Sequence, residues 1–236
     1  MGSYGRKKAF TNFSTCLYYL RKTLAGLGYP NPVINNAGTI SLDMSQISTD
    51  VQELAGHWAE EAVNDMGSRL IVSGVGEGIF APNREVTRAE FAAIVVRALG
   101  LKPEAGKTIF TDVNESDWYS SCINTASKYK IILGYGDGRF GPNDKVTREQ
   151  AMIMIARAMN ITQLKVELAD GETDKLLGEF KDASTSADHA KDSIAKCIKA
   201  GVITGKIGKL IAPKDNITRA EAAVIVRRLL QLSDLI

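Results

Sequence analysis

The 236-residue chain has little of what most enzyme chemistry needs. Its three cysteines, Cys16, Cys122 and Cys197, lie far apart and form neither a Cys-x-x-Cys pair nor a zinc spacing. Its two histidines, His57 and His189, sit in no nucleophile or zinc-ligand motif. Carboxylates are plentiful, but their spacing pairs no two of them for glycoside hydrolysis. Catalysis, a metal and a cofactor are therefore not expected. A formal net charge of +2 gives no case for nucleic acid, which calls for a basic patch or stripe. Long hydrophobic runs are missing too. The apolar stretches are broken by Arg97, Arg157 and Arg227, so membrane insertion is not expected. Tyr135-Gly136-Asp137-Gly138 lacks the alternating Asp/Asn ladder of a calcium-dependent interaction module. Low cysteine use suits a cytosolic protein and equally a bacterial surface protein without disulfides.

What the chain does contain is a repeat. Val86-Thr87-Arg88-Ala89-Glu90-Phe91 returns as Val146-Thr147-Arg148-Glu149-Gln150-Ala151 and as Ile217-Thr218-Arg219-Ala220-Glu221-Ala222. Each copy reads as a helix start. The Thr hydroxyl can accept from a first-turn N–H, and Glu90, Gln150 or Glu221 can reach back to the Thr N–H, completing a capping box. The apolar run after each cap predicts a buried helix, and three such helices most simply share a central bundle. The arginine is the residue that capping does not explain, because a cation in the first turn opposes the helix dipole. Two explanations stay open: an anionic partner, or a salt bridge to a carboxylate of a neighbouring repeat.

A glycine loop precedes each cap: Gly74 to Pro82 with Gly76 and Gly78, Gly134 to Pro142 with Gly136 and Gly138, and Gly205 to Pro213. The third loop has Ile207 and Lys209 where the others have glycines, which predicts a different shape. An outer helix is expected before each loop, with Val63, Met66 and Leu70 on one face of the first. Aligning Ile194 with Ile123 and Val63 puts His189 where the earlier repeats carry Trp118 and Trp58. The tryptophans are read as core pins of the outer helix, with stacking on a sugar ring as the alternative. Asp112 and Asp182 are read as helix or loop caps, and Cys122 and Cys197 as small buried thiols.

Met1 to about Lys8 is expected to be vector-derived, residues 10–24 to form a short amphipathic helix, and Val33–Leu42 to be loop or briefly extended. Thr162 to Glu179 reads as a polar connection with a turn at Ala169-Asp170-Gly171. The fold class is mainly α: helix, glycine loop and capped helix three times over, around a central three-helix bundle. The boundaries are 1–45 for the start and extension, then 46–102, 103–162 and 163–236 for the repeats.

Phe110-Thr-Asp112-Val113, Trp118, Gly134 to Phe140, Pro142 and Thr147-Arg148-Glu149-Gln150 together closely resemble the S-layer homology (SLH) domain, over about Ile47 to Leu230. The resemblance implies a pseudo-threefold trimodule with the capped helices on its axis and grooves between adjacent repeats. It also implies non-covalent anchoring to the secondary cell wall polysaccharide of Gram-positive bacteria, often through a pyruvylated N-acetylmannosamine, at the cell wall or S-layer. The motif arginine is implicated in binding, a role that falls by position on Arg88, Arg148 and Arg219. A ketal-linked pyruvate displays a carboxylate, which the planar guanidinium fork suits. The helix N-termini could add N–H groups for the same anion, as could the loop glycines Gly76, Gly78, Gly136 and Gly138. Asp137 and Tyr135 are candidates for sugar hydroxyls. The groove that would use the third loop is the weakest. The end of the chain soon after the third repeat reads as a carboxy-terminal anchor. The alternative function is protein–protein contact or self-association within a surface layer, with the arginines in subunit salt bridges.

Overall fold

The computed structural model describes residues 33–36, 39–42, 54–75 and 79–236. The chain divides into two compact units, residues 1–60 with 73–81, and residues 61–72 with 82–236. The expected helix over residues 10–24 lies outside the described residues, as do Gly76, Gly78 and Cys16. Val33–Asn36 (β1) and Thr39–Leu42 (β2) form an antiparallel hairpin with Val33 opposite Leu42. This is more strand than the sequence suggested.

The helices are α1 (Glu60–Ser68), α2 (Arg88–Ala98), α3 (Ser120–Lys128), α4 (Arg148–Ile161), α5 (Glu172–Leu177), α6 (Asp188–Lys199) and α7 (Arg219–Leu232). Among the described residues, α1, α3 and α6 are the outer helices, and α2, α4 and α7 are the capped ones. Each of α2, α4 and α7 touches the other two. Their apolar residues explain why: Phe91, Ala92, Val95, Ile155, Ala222 and Val226 are fully buried. All three capping boxes form. Thr87 Oγ1 accepts from the Glu90 N–H at 3.2 Å and a Glu90 carboxylate oxygen accepts from the Thr87 N–H at 2.9 Å. Thr147 with Gln150 and Thr218 with Glu221 repeat this. Each such cap is worth about 1 kcal/mol.

Hydrogen bonds between repeats close the second unit into a ring. The Val86 N–H donates to the Ile217 carbonyl, Ile217 to Val146, and Val146 back to Val86, each at 3.0 Å. Helix starts and Pro turns interlock in the same sense. A helix leaves its first N–H groups without internal partners. Arg88 and Ala89 donate theirs to the carbonyls of Asp144 and Pro142, at 2.9 and 3.1 Å. Arg148 and Glu149 use Asp215 and Pro213, and Arg219 and Ala220 use Arg84 and Pro82. The first two N–H groups of each capped helix are therefore taken by the Pro turn of another repeat, while its own capping threonine takes the third. Arg227 of α7 completes the circle with ion pairs to Glu61 and Asp65 of α1.

The Phe-x-Asp motif holds the loops. The Asp112 carboxylate accepts from the N–H groups of Phe140 and Gly141, both at 2.8 Å, and Asp182 accepts from Ile211 and Ala212 at 2.8 and 2.7 Å. The aspartates are loop clamps, in line with the capping role read from sequence. Gly134 is required by close approach, since a Cβ there would lie 2.5 Å from the Arg139 carbonyl oxygen and 2.8 Å from the Phe110 ring. The third loop does differ. Left-handed φ falls on Gly136 and Gly138 in the second repeat but on Gly208 and Lys209 in the third.

Three expectations fail. Leu70, placed on the apolar face of the first outer helix, lies past the end of α1 with a left-handed φ of +60° and is exposed. The polar connection contains α5, held by buried Leu177 and by Lys199 and Asp192 of α6, which pair with Glu172 and Thr173. Trp58 and Trp118 are 65 % and 61 % exposed rather than core pins. Trp118 stands edge-on to its neighbour Tyr119, and Tyr119 and Ile123 are the residues buried there. Cys122 and Cys197 are buried free thiols, as read, and burial pushes Cys197 up to about 12. Among the described residues no helix is long and apolar enough to cross a membrane.

Candidate functional site: a groove at Arg88

Arg88 opens α2, yet its side chain belongs to the second repeat. It is only 6 % exposed. Its Nε–H donates to the Phe140 carbonyl at 2.9 Å and its Nη2 to the Leu133 carbonyl at 3.3 Å. The guanidinium carbon sits 4.7 Å from the centre of the Tyr135 ring and 4.8 Å from that of Phe140. Ring faces attract a cation at such range. Among the described residues the Nη1 group donates no hydrogen bond. Burial pulls the Arg88 pKa below its ordinary value, and Tyr135, Asp144 and Asp112 oppose the shift. A guanidinium so placed stays cationic.

Beside it lies a cavity of about 240 Å³ lined by Arg88, Leu133, Tyr135, Gln150, Arg157 and His189, among others. Gln150 and Arg157 share one face of α4 because residues seven apart are two turns apart. His189 comes from the start of α6. The first repeat thus supplies Arg88, the second Tyr135, Gln150 and Arg157, and the third His189. Arg157 is half-buried and has no ion-pair partner among the described residues. Burial alone lowers its pKa, with no nearby carboxylate to raise it. The lining holds two guanidinium groups and no carboxylate. The arrangement suits an acceptor-rich anion.

The profile of the S-layer homology domain matches residues 49–92, 109–152 and 179–223. The chain belongs to the S-layer homology domain family. An amylopullulanase of Thermoanaerobacterium thermosulfurigenes is 34 % identical over 227 residues, covering 92 % of this chain and 12 % of that protein. The exoglucanase XynX of Acetivibrio thermocellus is 34 % identical over 207 residues, covering 88 % of this chain and 18 % of that protein. A surface layer protein of Brevibacillus choshinensis is 38 % identical over 104 residues, covering 42 % of this chain and 9 % of that protein. The chain therefore spans a small part of these relatives' length. The SLH domain is a non-catalytic anchoring module of S-layer and cell-surface proteins. That places the chain at the Gram-positive cell surface, with cell-wall anchoring as its function class.

The structure distributes the residues read from sequence unevenly. Arg88 and Tyr135 line the cavity. Arg148 is 5 % exposed and gives its Nε–H to the Ile211 carbonyl at 2.8 Å and its Nη1 to Glu221 at 3.0 Å. Of the two explanations open for the motif arginine, the neighbouring-repeat salt bridge is realised here. Arg219 is 6 % exposed at the start of α7, near enough to Glu90 to help lower that carboxyl's pKa. Asp137 is turned onto Arg139 of its own loop. Gly136 and Gly138 are exposed with φ of +89° and +86°, and they lie outside the cavity lining. The expectation that helix N-terminal N–H groups would meet the anion is corrected. Those groups are already taken by the Pro-turn carbonyls and the capping threonines. Sequence reading missed Arg157, treating it only as an interruption of an apolar run. Its spacing of seven from Gln150 was the available signal.

Proposed function

We propose that this trimodule anchors its protein by holding an anionic epitope of the secondary cell wall polysaccharide in the Arg88 groove. A pyruvylated N-acetylmannosamine is the ligand that best suits the chemistry. The carrying observation is the pair of guanidinium groups, Arg88 and Arg157, on a cavity lining without a carboxylate. The ketal carboxylate would meet Arg88 Nη1 and Arg157, both of which can donate charge-assisted hydrogen bonds. The exposed Tyr135 ring offers an apolar face to the sugar. The cavity volume suits one monosaccharide unit, with the rest of the polymer running out of its open side.

The test is calorimetric titration with the pyruvylated glycoside and its unpyruvylated twin. The intact protein should bind the first and not the second. Arg157→Gln should lose at least tenfold in affinity while staying folded, because the described structure gives Arg157 no internal partner to strand. Equal binding of both sugars, or of neither, would end the pyruvate reading.

A further inference from the structure

The Arg88 and Arg148 sites share a pair of aspartates and a loop carbonyl that accepts the Nε–H, and they differ in side chains: Tyr135, Phe140 and Gln150 stand where the Arg148 site has Lys206, Ile211 and Glu221. Around Arg88 the opposing charges are Asp144 and Asp112; around Arg148 they are Glu221, Asp215 and Asp182. Asp144 corresponds to Asp215 in the repeat, and Asp112 to Asp182, both of the latter pair being loop clamps. Gln150 corresponds to Glu221 and is the departure that bears on the arginine's carboxylate partner; Lys206, at the Tyr135 position, also lies 3.7 Å from Glu221. In both sites one side-chain oxygen of this residue accepts from the N-cap N–H, Thr147 at 3.1 Å or Thr218 at 2.9 Å. The other end decides the chemistry. In Glu221 it is an acceptor, and Arg148 Nη1 donates to it at 3.0 Å. Glu90 behaves similarly, with its second oxygen paired to Arg84. In Gln150 the other end is an NH₂ group, which can only donate. It cannot satisfy Arg88. Among the described residues, the Nη1 donors of the buried Arg88 guanidinium, the amide N–H groups of Gln150 and the Arg157 guanidinium have no acceptor in the groove.

We infer that Gln150 is the residue that selects which groove takes the polysaccharide anion: it keeps the Arg88 groove open, whereas Glu221 fills the Arg148 groove with an internal carboxylate. This rests on the anionic-ligand reading above, and on it the trimodule has one strong anion site between these two grooves. An external carboxylate at Arg88 would stand where Glu221 stands at Arg148. The ligand's carboxylate and a glutamate side chain are then alternatives for the same donors.

The repeat itself supplies variants that fold. Glutamate caps α2 and α7, so Gln150→Glu keeps the capping box, and glutamine caps α4, so Glu221→Gln does too. The pyruvylated glycoside is titrated calorimetrically, and acetate is titrated against the arginine side-chain N–H signals by NMR as a second anion probe. Gln150→Glu should weaken the glycoside at least tenfold, about 1.4 kcal/mol, and abolish the acetate response at Arg88. Glu221→Gln should add a second acetate-responsive arginine, Arg148, and raise the glycoside stoichiometry. Should the intact protein refuse the glycoside while acetate still moves Arg88 in it and not in Gln150→Glu, the ligand fails and the selector stands. If Gln150→Glu changes neither titration, or the intact protein answers neither probe, the inference is overturned.

Discussion

Replacing Asp112 with asparagine tests how the loop of the Arg88 groove is held. The carboxylate accepts two backbone N–H groups, from Phe140 and Gly141, both at 2.8 Å. Both donors belong to buried residues. Asparagine offers one carbonyl oxygen and one NH₂, so one N–H would face another donor. Losing one hydrogen bond to a charged acceptor costs about 1.5–3 kcal/mol, and the remaining bond weakens from charged to neutral, for a total of about 2–4 kcal/mol. Urea unfolding is the assay, and the midpoint should fall with the slope unchanged. Asp182→Asn should cost a similar amount, because its bonds to Ile211 and Ala212 have the same geometry. The groove should suffer with the loop, since the Phe140 carbonyl receives Arg88 Nε–H. Weaker glycoside binding in Asp112→Asn than in Asp182→Asn would show that coupling. A destabilisation below about 0.5 kcal/mol in both variants, within the range of an ordinary surface substitution, would refute the clamp.

Glycine positions give a signed pair. Gly134→Ala would drive a Cβ to within 2.5 Å of the Arg139 carbonyl oxygen and should destabilise by more than about 2 kcal/mol, whereas Gly67→Ala in α1 meets nothing within 4 Å and should stabilise by about 0.5–1 kcal/mol in thermal melts. Burial would raise the Glu90 carboxyl, but the Thr87 N–H and Arg84 outweigh it and hold the pKa below the ordinary 4.5. That depression adds stability above 4.5, which is lost as pH falls through the folded value. Melting temperature should therefore drop below about pH 4.5 less steeply in Glu90→Gln than in the parent. In a Cys16→Ser background, Cys122 and Cys197 should resist an aromatic disulfide reagent at pH 8 until urea unfolds the protein, because both are buried and burial raises both thiols. Rapid labelling of both without denaturant would contradict that burial.

Local features were legible wherever a residue and its partner lie within a turn of each other. The capping boxes at Thr87, Thr147 and Thr218 are i to i+3 contacts, so the motif alone predicted them. The buried helices followed from their largely apolar composition, and the altered third loop from Ile207 and Lys209 standing at glycine positions. The tryptophans misled because aromatic character predicts burial only on average. At Trp118 the adjacent Tyr119 takes the inward place. Helix α5 was missed since it is six residues long and its support comes from α6.

By itself the sequence determined the repeat, its caps, the mainly α class and the family, because each of these is a pattern of neighbours along the chain. The tertiary structure decided what Arg88 and Arg148 do. Arg88 reaches carbonyls 45 and 52 residues away, and Arg148 reaches a carbonyl 63 and a carboxylate 73 residues away. Two identical motif positions, Arg88 and Arg148, acquire different partners because each faces another repeat's loop. No spacing within the motif records which donors that loop leaves unanswered.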